Sequence, residues 1–336
     1  MKQLISIICM LLFIAACAQQ RPVLDAPPMQ SAPLQKIQQQ QQPISPPQPT
    51  DTTADDNNDL SFDLSIENAN PLDFDPAGPF YHTLYRTASA DGLSFESKDK
   101  IFEHTSVPDV IRLDDGRIAL YGVDGYGRSR SGLIVAFSED DGKTWTSGSL
   151  QLESKLNHQG AADPEVVLLP DGIIRMFYVI FPNPNDLMST NEVWSATSTD
   201  GIHFVEEDGI RFKYERLTDP DIAKIGDTWF IYFAQGPQLV AASSSDGKTF
   251  TKQKTIRDRG SVSNTVQIEN NKWRQYYCSE REGIKSATSS DGLNWKDDSG
   301  TRITPDSGTI VCDPAPIEAD GGWALFYKVG PKPKMR

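Results

Sequence analysis

The sequence predicts an all-β fold for most of the chain, and three observations support this prediction. From about Pro71 onward, short runs rich in Val, Ile, Phe, Tyr and Trp alternate with Asp-Gly turns, which is typical of β-strands joined by tight turns. Few windows of this region show a helical period. Short patterns also recur five times along it, and internal repeats of this kind indicate an architecture built from repeated units.

The first repeated pattern is a turn that contains Ser-x-Asp and Gly and ends in an aromatic residue. Its five copies are SADGLSF (89–95), SEDDGKTW (138–145), STDGIHF (198–204), SSDGKTF (244–250) and SSDGLNW (289–295). Asp and Ser side chains bind backbone amides in tight turns, and glycine supplies a positive φ. We therefore expect these turns to be structural, with their aromatic residues packed between neighbouring sheets.

The second repeated pattern is the start of a strand, and it interleaves with the first pattern. Its five copies are VPDVIRL (107–113), DPEVVLL (163–169), DPDIAKI (219–225), VSNTVQI (262–268) and DPAPIEA (313–319). An aromatic-rich strand follows each copy, so one unit reads as four antiparallel strands. Five such units around an axis form a five-bladed β-propeller. The last unit, 313–328, lacks outer strands, and we predict that the N-terminal strands in 82–97 complete this blade.

Residues 1–16 are predicted to be a lipoprotein signal peptide. They contain one cationic residue, Lys2, and an apolar run, LISIICMLLFI, that is too short to span a bilayer comfortably. The stretch Ile14-Ala15-Ala16-Cys17 resembles the lipobox of bacterial lipoproteins, which implies a lipid on Cys17. An ordinary cleaved signal with an incidental cysteine is the alternative. By the same resemblance, Ala18 implies the outer membrane, so we expect a cell-envelope protein whose lipid anchor is its contact with the membrane.

Residues 17–75 are predicted to form the lipidated cysteine and a disordered tether, and residues 76–336 the propeller. The tether is rich in Gln, Pro, Ser, Asp and Thr, as in QKIQQQQQPISPPQPTDTTADDNND, and has too few apolar residues for a core. About 50 such residues have a typical reach of about 40 Å. The rest of the chain is long enough for one core, and we expect a monomer.

Charge and cysteine content narrow the possible functions. The formal net charge of −14, from 46 acidic and 32 basic residues, disfavours nucleic acid and polyanionic partners. The His and Cys residues have no tight ligand spacing, and we expect neither a metal nor a cofactor. Beyond the signal and Cys17, Cys278 and Cys312 remain. They are expected near the same face of adjacent blades, where a disulfide and two buried thiols are both possible.

The repeated patterns resemble those of carbohydrate-active propellers. SEDDGKTW matches the sialidase Asp-box, Ser-x-Asp-x-Gly-x-Thr-Trp, and the other four turns resemble those of five-bladed glycoside hydrolases. The recurring Asp-Pro resembles glycoside hydrolase families 43 and 32, the arabinanase, levansucrase and invertase superfamily. This resemblance covers the whole predicted propeller and implies a carbohydrate partner. A sialidase-like exo-glycosidase is the less favoured alternative, because there are five repeats instead of six and no three arginines at matching positions.

The starts of the inner strands are predicted to converge on one mouth of the central channel. Crowded carboxylates shift one another's pKa values, and hydrolysis of a glycosidic bond needs one protonated and one ionised carboxyl group. A strand-entry turn that is repeated for folding reasons is the alternative interpretation. The inner strands supply Asp109, Asp163, Glu165, Asp219, Asp221, Asn264 and Asp313, and the adjoining loops add His104, Tyr126, His158 and Arg216 as candidates for holding a sugar.

The resemblance to family 43 implies roles for two of these carboxylates. By its place in the first blade, Asp109 would be the general base, and Asp219 in the third blade would orient the acid and tune its pKa. The fourth blade, where that family has its acidic Glu, reads Val-Ser-Asn at 262–264, so Glu280 or Glu282 would supply the acid. A glycoside hydrolase is therefore the first hypothesis. A non-catalytic envelope lipoprotein that binds a glycan or a protein is the second.

Overall fold

The computed structural model describes residues 70–154, 160–186, 188–279 and 282–332. The predicted signal peptide, Cys17 and nearly all of the predicted tether lie outside these ranges. None of the helices within them is long and apolar enough to cross a bilayer. The described residues form two short 3-10 helices, Pro71–Asp73 and Pro79–Tyr81. The strands in chain order are β1 (Thr83–Ser89), β2 (Asp99–Glu103), β3 (Thr105–Arg112), β4 (Ile118–Asp124), β5 (Leu133–Ser138), β6 (Thr146–Ser149), β7 (Gln151–Glu153), β8 (Ala162–Leu168), β9 (Ile174–Ile180), β10 (Thr190–Ser198), β11 (His203–Glu206), β12 (Phe212–Glu215), β13 (Leu217–Ile225), β14 (Thr228–Gln235), β15 (Gln238–Ser244), β16 (Thr251–Arg257), β17 (Ser263–Glu269), β18 (Lys272–Ser279), β19 (Gly283–Ser289), β20 (Lys296–Asp297), β21 (Thr309–Ala319) and β22 (Gly322–Pro331).

These strands form five sheets around one axis, which confirms the predicted all-β, five-bladed β-propeller. From the axis outward, the blades are β3 to β6, β8 to β11, β13 to β16, β17 to β20, and β21, β22, β1 and β2. Neighbouring strands within these blades are antiparallel, as predicted. The second blade has two additional strands. β12 pairs with β10, and β7 pairs in parallel with β11 at the outer edge.

The N-terminal strands close the ring, as predicted from the sequence. β1 pairs with β22 along its whole length, from Thr83 opposite Val329 to Ser89 opposite Trp323. β2 pairs with β1 on the outer side and ends at Glu103, so the closing segment extends six residues beyond the predicted end at Ser97. The first and last strands of the propeller therefore belong to one sheet.

One aromatic side chain on the second strand of every blade fills the gap to the next blade. These five residues have no exposed surface (0 %): Tyr121, Phe177, Tyr232, Tyr276 and Phe326. The three tyrosines also donate their hydroxyl hydrogens across the gap. Their acceptors are the carbonyls of Gly201 (3.1 Å), Gly292 (2.8 Å) and Gly92 (2.7 Å), each in the Ser-x-Asp turn of the following blade. Each interface thus combines apolar packing with a buried hydrogen bond or a second aromatic ring.

The Ser-x-Asp turns have the structural role expected from the sequence. In the copy at 138–145, Ser138 Oγ accepts the N–H of Gly142 at 2.8 Å, and Asp140 Oδ1 accepts the N–H groups of two following residues at 3.0 and 2.8 Å. The other four copies repeat this pattern. Gly142 has a φ of 79°, and a Cβ there would lie 2.5 Å from the Phe326 ring. Glycine is therefore needed for both the backbone angle and the close approach of the preceding blade.

The aromatic residue that ends each turn packs edge-on against the second-strand aromatic of the preceding blade. The centroids are 5.7 to 6.5 Å apart, and the ring planes cross at 72 to 86°, in the pairs Phe95–Tyr276, Trp145–Phe326, Phe204–Tyr121, Phe250–Phe177 and Trp295–Tyr232. Such edge-to-face pairs contribute about 0.5–1.5 kcal/mol each beyond the area they bury. The turns therefore stabilise the ring and lie away from the mouth.

Cys278 and Cys312 form a disulfide that joins the fourth and fifth blades. Their Cα atoms are 5.1 Å apart, and the bond closes a segment of 34 residues, which stabilises the fold by about 3–4 kcal/mol in the chain-entropy model. We expect Cys312→Ser to lower the free energy of unfolding by about this amount. Mass spectrometry of the unreduced protein should show the two peptides cross-linked, whereas alkylation of both thiols without a reductant would contradict the bond.

Candidate functional site at the axial mouth

The inner strands place their polar residues in two layers around the axis. The upper layer contains the residues that begin the repeat, all in a left-handed conformation with φ between 47° and 53°: Val107, Asp163, Asp219, Val262 and Asp313. The lower layer lies two residues further along each strand: Asp109, Glu165, Asp221, Asn264 and Ala315. The register shifts between the two layers on four of the five strands, and residues of both layers line one axial cavity. The upper layer is nearer the mouth.

This register corrects the equivalence that assigned Asp109 the role of general base. Val107, and not Asp109, is the counterpart of Asp163 and Asp219 at the strand start. Asp109 instead matches Glu165 of the second blade, one layer deeper. The cause is the residue order Val-Pro-Asp in the first blade. Pro108 aligns with the proline of each Asp-Pro pair, so Val107 takes the place of the aspartate and Asp109 follows two positions later.

The lower-layer carboxylates link neighbouring blades through their backbones. Each accepts the N–H of the residue that follows the lower-layer position of the next blade. The three bonds run from Val166 to Asp109 Oδ2 (2.6 Å), from Ile222 to Glu165 Oε1 (3.2 Å) and from Thr265 to Asp221 Oδ1 (3.0 Å). The folding interpretation of the repeated acids therefore fits this layer.

Burial makes the lower-layer carboxyl groups hold their protons more tightly than in water. It raises the pKa of Asp109 to about 7 and that of Asp221 to about 6. Burial, together with the charges of Asp109 and Asp221, raises the pKa of Glu165 well above its usual range. Asn264 Nδ2 donates to Asp109 Oδ1 at 2.8 Å and lies 3.4 Å from Glu165 Oε2. None of these four residues is more than 8 % exposed, so the lower layer is buried.

Three carboxylates and one ammonium group form the charged half of the upper layer. Lys328, on the second strand of the fifth blade, places Nζ 2.6 Å from Asp313 Oδ2. The Asp219 N–H donates to Asp163 Oδ2 at 3.1 Å. Burial raises the pKa of Asp163 to about 6, and burial beside Asp163 and Asp313 raises the pKa of Asp219 well above its usual range. Of the three, only Asp219 is partly exposed, since Asp163 is 8 % and Asp313 4 % exposed, so its carboxyl group is the one presented at the mouth.

Two valines form the apolar half of the upper layer. Val107 and Val262 are partly exposed, and their left-handed backbone is rare for β-branched residues, at a cost of about 1–3 kcal/mol each. The two layers enclose a cavity of about 20 Å³, which has room for about one water molecule. The channel below the mouth is therefore filled by side chains.

No protein-family model and no curated protein matches the sequence. Among solved structures, a thermostable family-43 glycoside hydrolase superposes with a TM-score of 0.54 at 16 % identity, over 67 % of this chain and 88 % of that one. A Dyadobacter fermentans protein of unknown function gives 0.51 at 17 % identity, over 78 % and 86 %. An α-L-arabinofuranosidase from Clostridium thermocellum gives 0.50 at 16 %, over 66 % and 80 %. The fold is a glycoside hydrolase-like five-bladed β-propeller.

His104 and Tyr126, two of the residues predicted to bind a sugar, lie beside the mouth in an aromatic cluster. Phe80 stacks on Phe74 with centroids 3.9 Å apart and contacts His104 at 4.4 Å and Tyr126 at 5.2 Å. His104 Nδ1 also bonds the carbonyl oxygen of Phe80. These contacts attach the segment that precedes β1 to the first blade. The predicted tether includes Phe74, so the sequence pattern does not indicate this cluster.

The two candidate acids of the fourth blade do not complete the site. The Glu282 carboxylate bonds Lys285 at 2.7 Å, and its side chain is 58 % exposed, as expected of a surface residue. Glu280 lies outside the described residues, as does His158. Arg216 lines a separate pocket at the turn between β14 and β15.

Lys328 and His82, two basic residues at the closure of the ring, are not among the site residues predicted from the sequence. Lys328 and His82 lie in the fifth blade and in the segment before β1, and a lone Lys within the apolar run ALFYKV was the available signal for the first. His82 Nδ1 lies 2.9 Å from Ser106 Oγ. Burial, with a contribution from the Lys328 charge, lowers the pKa of His82 to about 4, so this imidazole is neutral at neutral pH.

Proposed function

We propose that the protein binds a glycan at the axial mouth. The observation that carries this proposal is the division of the upper layer into a charged half, Asp163, Asp219 and Asp313, and an apolar half, Val107 and Val262. A sugar ring has hydroxyl groups for the first half and C–H surfaces for the second. Ligand sites combine apolar walls with a few placed polar groups in this way. Structures that share the fold include a glycoside hydrolase and an arabinofuranosidase, which supports a carbohydrate ligand.

The apolar half favours binding without hydrolysis. The resemblance to family 43 implies a carboxylate base at the strand start of the first blade and an acidic Glu at that of the fourth. Val107 and Val262 occupy these two positions, and a valine side chain cannot accept or donate a proton. The base and the acid of that family are therefore both absent from the strand starts that the structure describes.

Hydrolysis is the second candidate function, and the pair Asp219 and Asp313 favours it. The mechanism needs a protonated acid beside an ionised carboxylate. The raised pKa of Asp219 favours its protonated form, whereas Asp313 is ion-paired with Lys328. In this mechanism Asp219 protonates the leaving oxygen, and Asp313, whose carboxylate is buried, accepts a proton from a water molecule while the water oxygen attacks the anomeric carbon.

A panel of envelope and plant glycans tests the proposal. We expect Asp219→Ala to weaken the binding of a panel member about tenfold or more, because a hydrogen bond of a carboxyl group at the mouth is lost. Asp227→Ala, which removes an exposed carboxylate from the turn between β13 and β14, is the matched control and should bind normally. Equal binding by the two variants would contradict a site at the mouth.

The same panel distinguishes binding from hydrolysis. If the second candidate holds, reducing ends accumulate with the wild type, and Asp219→Asn lowers the rate by about 100- to 10,000-fold while binding persists. Binding without any release of reducing ends supports the first candidate. The two functions therefore differ in one measured quantity, the turnover of a glycan that is known to bind.

We also propose that a lipid on Cys17 anchors the propeller in the bacterial cell envelope, at the outer membrane. The stretch 14–17 after an apolar run and the Gln- and Pro-rich region that follows support this proposal. A tether with a reach of about 40 Å would keep the mouth close to the glycans of the envelope.

Cys17→Ser should abolish acyl labelling and move the protein from the detergent phase to the soluble fraction. Cys9→Ser, within the apolar run, is the control and should leave labelling and partitioning unchanged, because this cysteine would be removed with the signal peptide. A Cys17→Ser protein that still partitions into detergent would refute the anchor.

A further inference from the structure

A pocket of about 500 Å³ opens at the turn between β14 and β15, on the side of the propeller where the inner strands start. Its lining residues are Arg216, Gln235, Pro237, Gln238, Asp258 and Arg259. The volume lies within the range of about 300–1,000 Å³ that is usual for small-ligand sites. Arg216 precedes Asp219 by three residues, and Arg259 precedes Val262 by three. The two guanidinium groups therefore come from equivalent loops of adjacent blades, and both loops lead directly into the upper layer.

The turn between β14 and β15 positions the Arg216 side chain. A Cβ at Gly236 would lie 2.5 Å from Arg216 Nη2, so the missing side chain of this glycine makes room for the guanidinium. The Arg216 N–H donates to the carbonyl of Ser189 at 2.9 Å. Gln235 Nε2 donates to the carbonyl of Glu215 at 3.3 Å. Arg216 thus lies against the turn at Gly236. The side chain of Gln235, at the start of this turn, is bonded to Glu215, the last residue of β12.

Neither pocket arginine has an ion-pair partner among the described residues. No carboxylate in that part of the chain lies within 4.0 Å of Arg216 or Arg259, and Asp258 instead lies 3.4 Å from Gln238 Nε2. On a chain with a net charge of −14, two adjacent cations without acidic partners are well placed to hold an anion from outside. Most other arginines are ion-paired: Arg86, Arg112, Arg117, Arg128, Arg175, Arg257 and Arg274.

We propose that Arg216 and Arg259 bind the carboxylate of a uronic acid residue in the glycan held at the mouth. This inference rests on the proposed function and adds to it the chemical class of the ligand. A planar guanidinium binds a carboxylate through two parallel hydrogen bonds, and Gln235 and Gln238 supply amide groups for ring hydroxyls. Arg216 precedes Asp219 by three residues, so a neighbouring sugar can extend from the pocket toward the mouth. The net charge of the protein repels densely charged polymers, which favours isolated carboxylates over a sulfated polyanion.

Calorimetric titration of the purified full-length chain tests this inference. The probes are oligosaccharides that carry one uronic acid residue, from glucuronoxylan and from pectin-type chains, and their carboxyl-reduced counterparts with the same sugars and linkages. We expect the acidic form to bind about 10- to 100-fold more tightly. Arg216→Gln and Arg259→Gln should each remove most of this preference. Arg216→Lys should retain part of it, because the charge remains but the bidentate geometry is lost.

Arg130→Gln is the matched control, because it removes one exposed arginine from the first blade; its preference should equal that of the wild type. Equal affinity for the acidic and reduced forms would overturn the uronic acid inference and leave the proposed function standing. A preference for O-sulfated derivatives of the reduced chains over the acidic forms would also overturn it, in favour of a sulfate ester. No binding of any probe or panel glycan would overturn the proposed function and this inference together.

Discussion

Removal of residues 1–97 should unfold the propeller, whereas removal of residues 1–69 should leave it folded. The longer deletion removes β1, which pairs with β22 over seven residues and carries the fully buried Leu84. The fifth blade would keep β21 and β22 alone, and the apolar core it shares with the first blade would be exposed. This loss approaches the whole stability of a domain, about 5–15 kcal/mol.

Thermal melting followed by circular dichroism measures this effect. The 1–69 deletion is the control, because it spares the contacts of Phe74 and Phe80 with the first blade. It should melt cooperatively within a few degrees of the full-length protein, and the 1–97 deletion should show no cooperative transition. Identical melting of the two deletions would contradict closure by the N-terminal strands.

Stability should fall as the pH rises from about 4.5 to about 8. Burial raises the folded-state pKa of Asp109 to about 7 and those of Asp163 and Asp221 to about 6, and it raises those of Glu165 and Asp219 further above their usual ranges. The folded state therefore binds more protons than the unfolded state above pH 4, and its free energy of unfolding decreases with pH. The stabilisation is complete below the unfolded pKa and is lost as the pH rises through 6 and 7.

The contribution of the Ser-x-Asp turns to stability has the opposite dependence on pH. Backbone hydrogen bonds lower the pKa of Asp91, Asp246 and Asp291 to about 2, so their stabilisation is present above about pH 4 and is lost as the pH falls toward 2. The two groups of carboxylates together predict a stability maximum near pH 4 to 5. The lowered pKa of His82 opposes this decline between about pH 4 and 6.5, because the unfolded imidazole binds the extra proton, but the five carboxyl groups with raised pKa values outnumber it.

Urea denaturation midpoints at pH 4.5, 6.0 and 7.5 measure this dependence. Asp109→Asn should flatten it, because the amide oxygen can still accept the Val166 N–H while the titrating proton is gone. Asp227→Asn, at an exposed turn, should leave the slope unchanged. A midpoint that is constant or rises between pH 4.5 and 7.5 would show that the buried carboxyl groups do not titrate as proposed.

The fold was predictable from the sequence because its constraints are local and repeated. Each Ser-x-Asp turn encodes its own hydrogen bonds, as at Ser138 and Asp140, and the offset between the two repeats encodes the closure by β1 and β2. Five copies of a weak pattern at regular intervals determine the architecture, which a single copy would not determine. The disulfide between Cys278 and Cys312 could be predicted only as one of two alternatives, because the pairing depends on the distance between blades.

The site was less predictable, because a shift of two residues along a strand leaves a side chain on the same face. Asp109 faces the channel whether the first blade is aligned with the others by Asp109 or by Pro108. Only the left-handed conformation at Val107 shows that Asp109 lies one layer deeper. Lys328 approaches Asp313 from a different strand, and no pattern near either residue encodes this ion pair. The composition of the mouth therefore depends on long-range packing.

The position of the bound sugar tests the central claim most directly. A crystal structure of the mature protein with the panel oligosaccharide that binds most tightly should show a sugar ring within hydrogen-bonding distance of the Asp219 carboxyl group and in contact with Val107 and Val262. A sugar bound instead in the cleft of about 650 Å³ between the first two blades, against Leu152 and Phe204, with the mouth unoccupied, would contradict the proposed site.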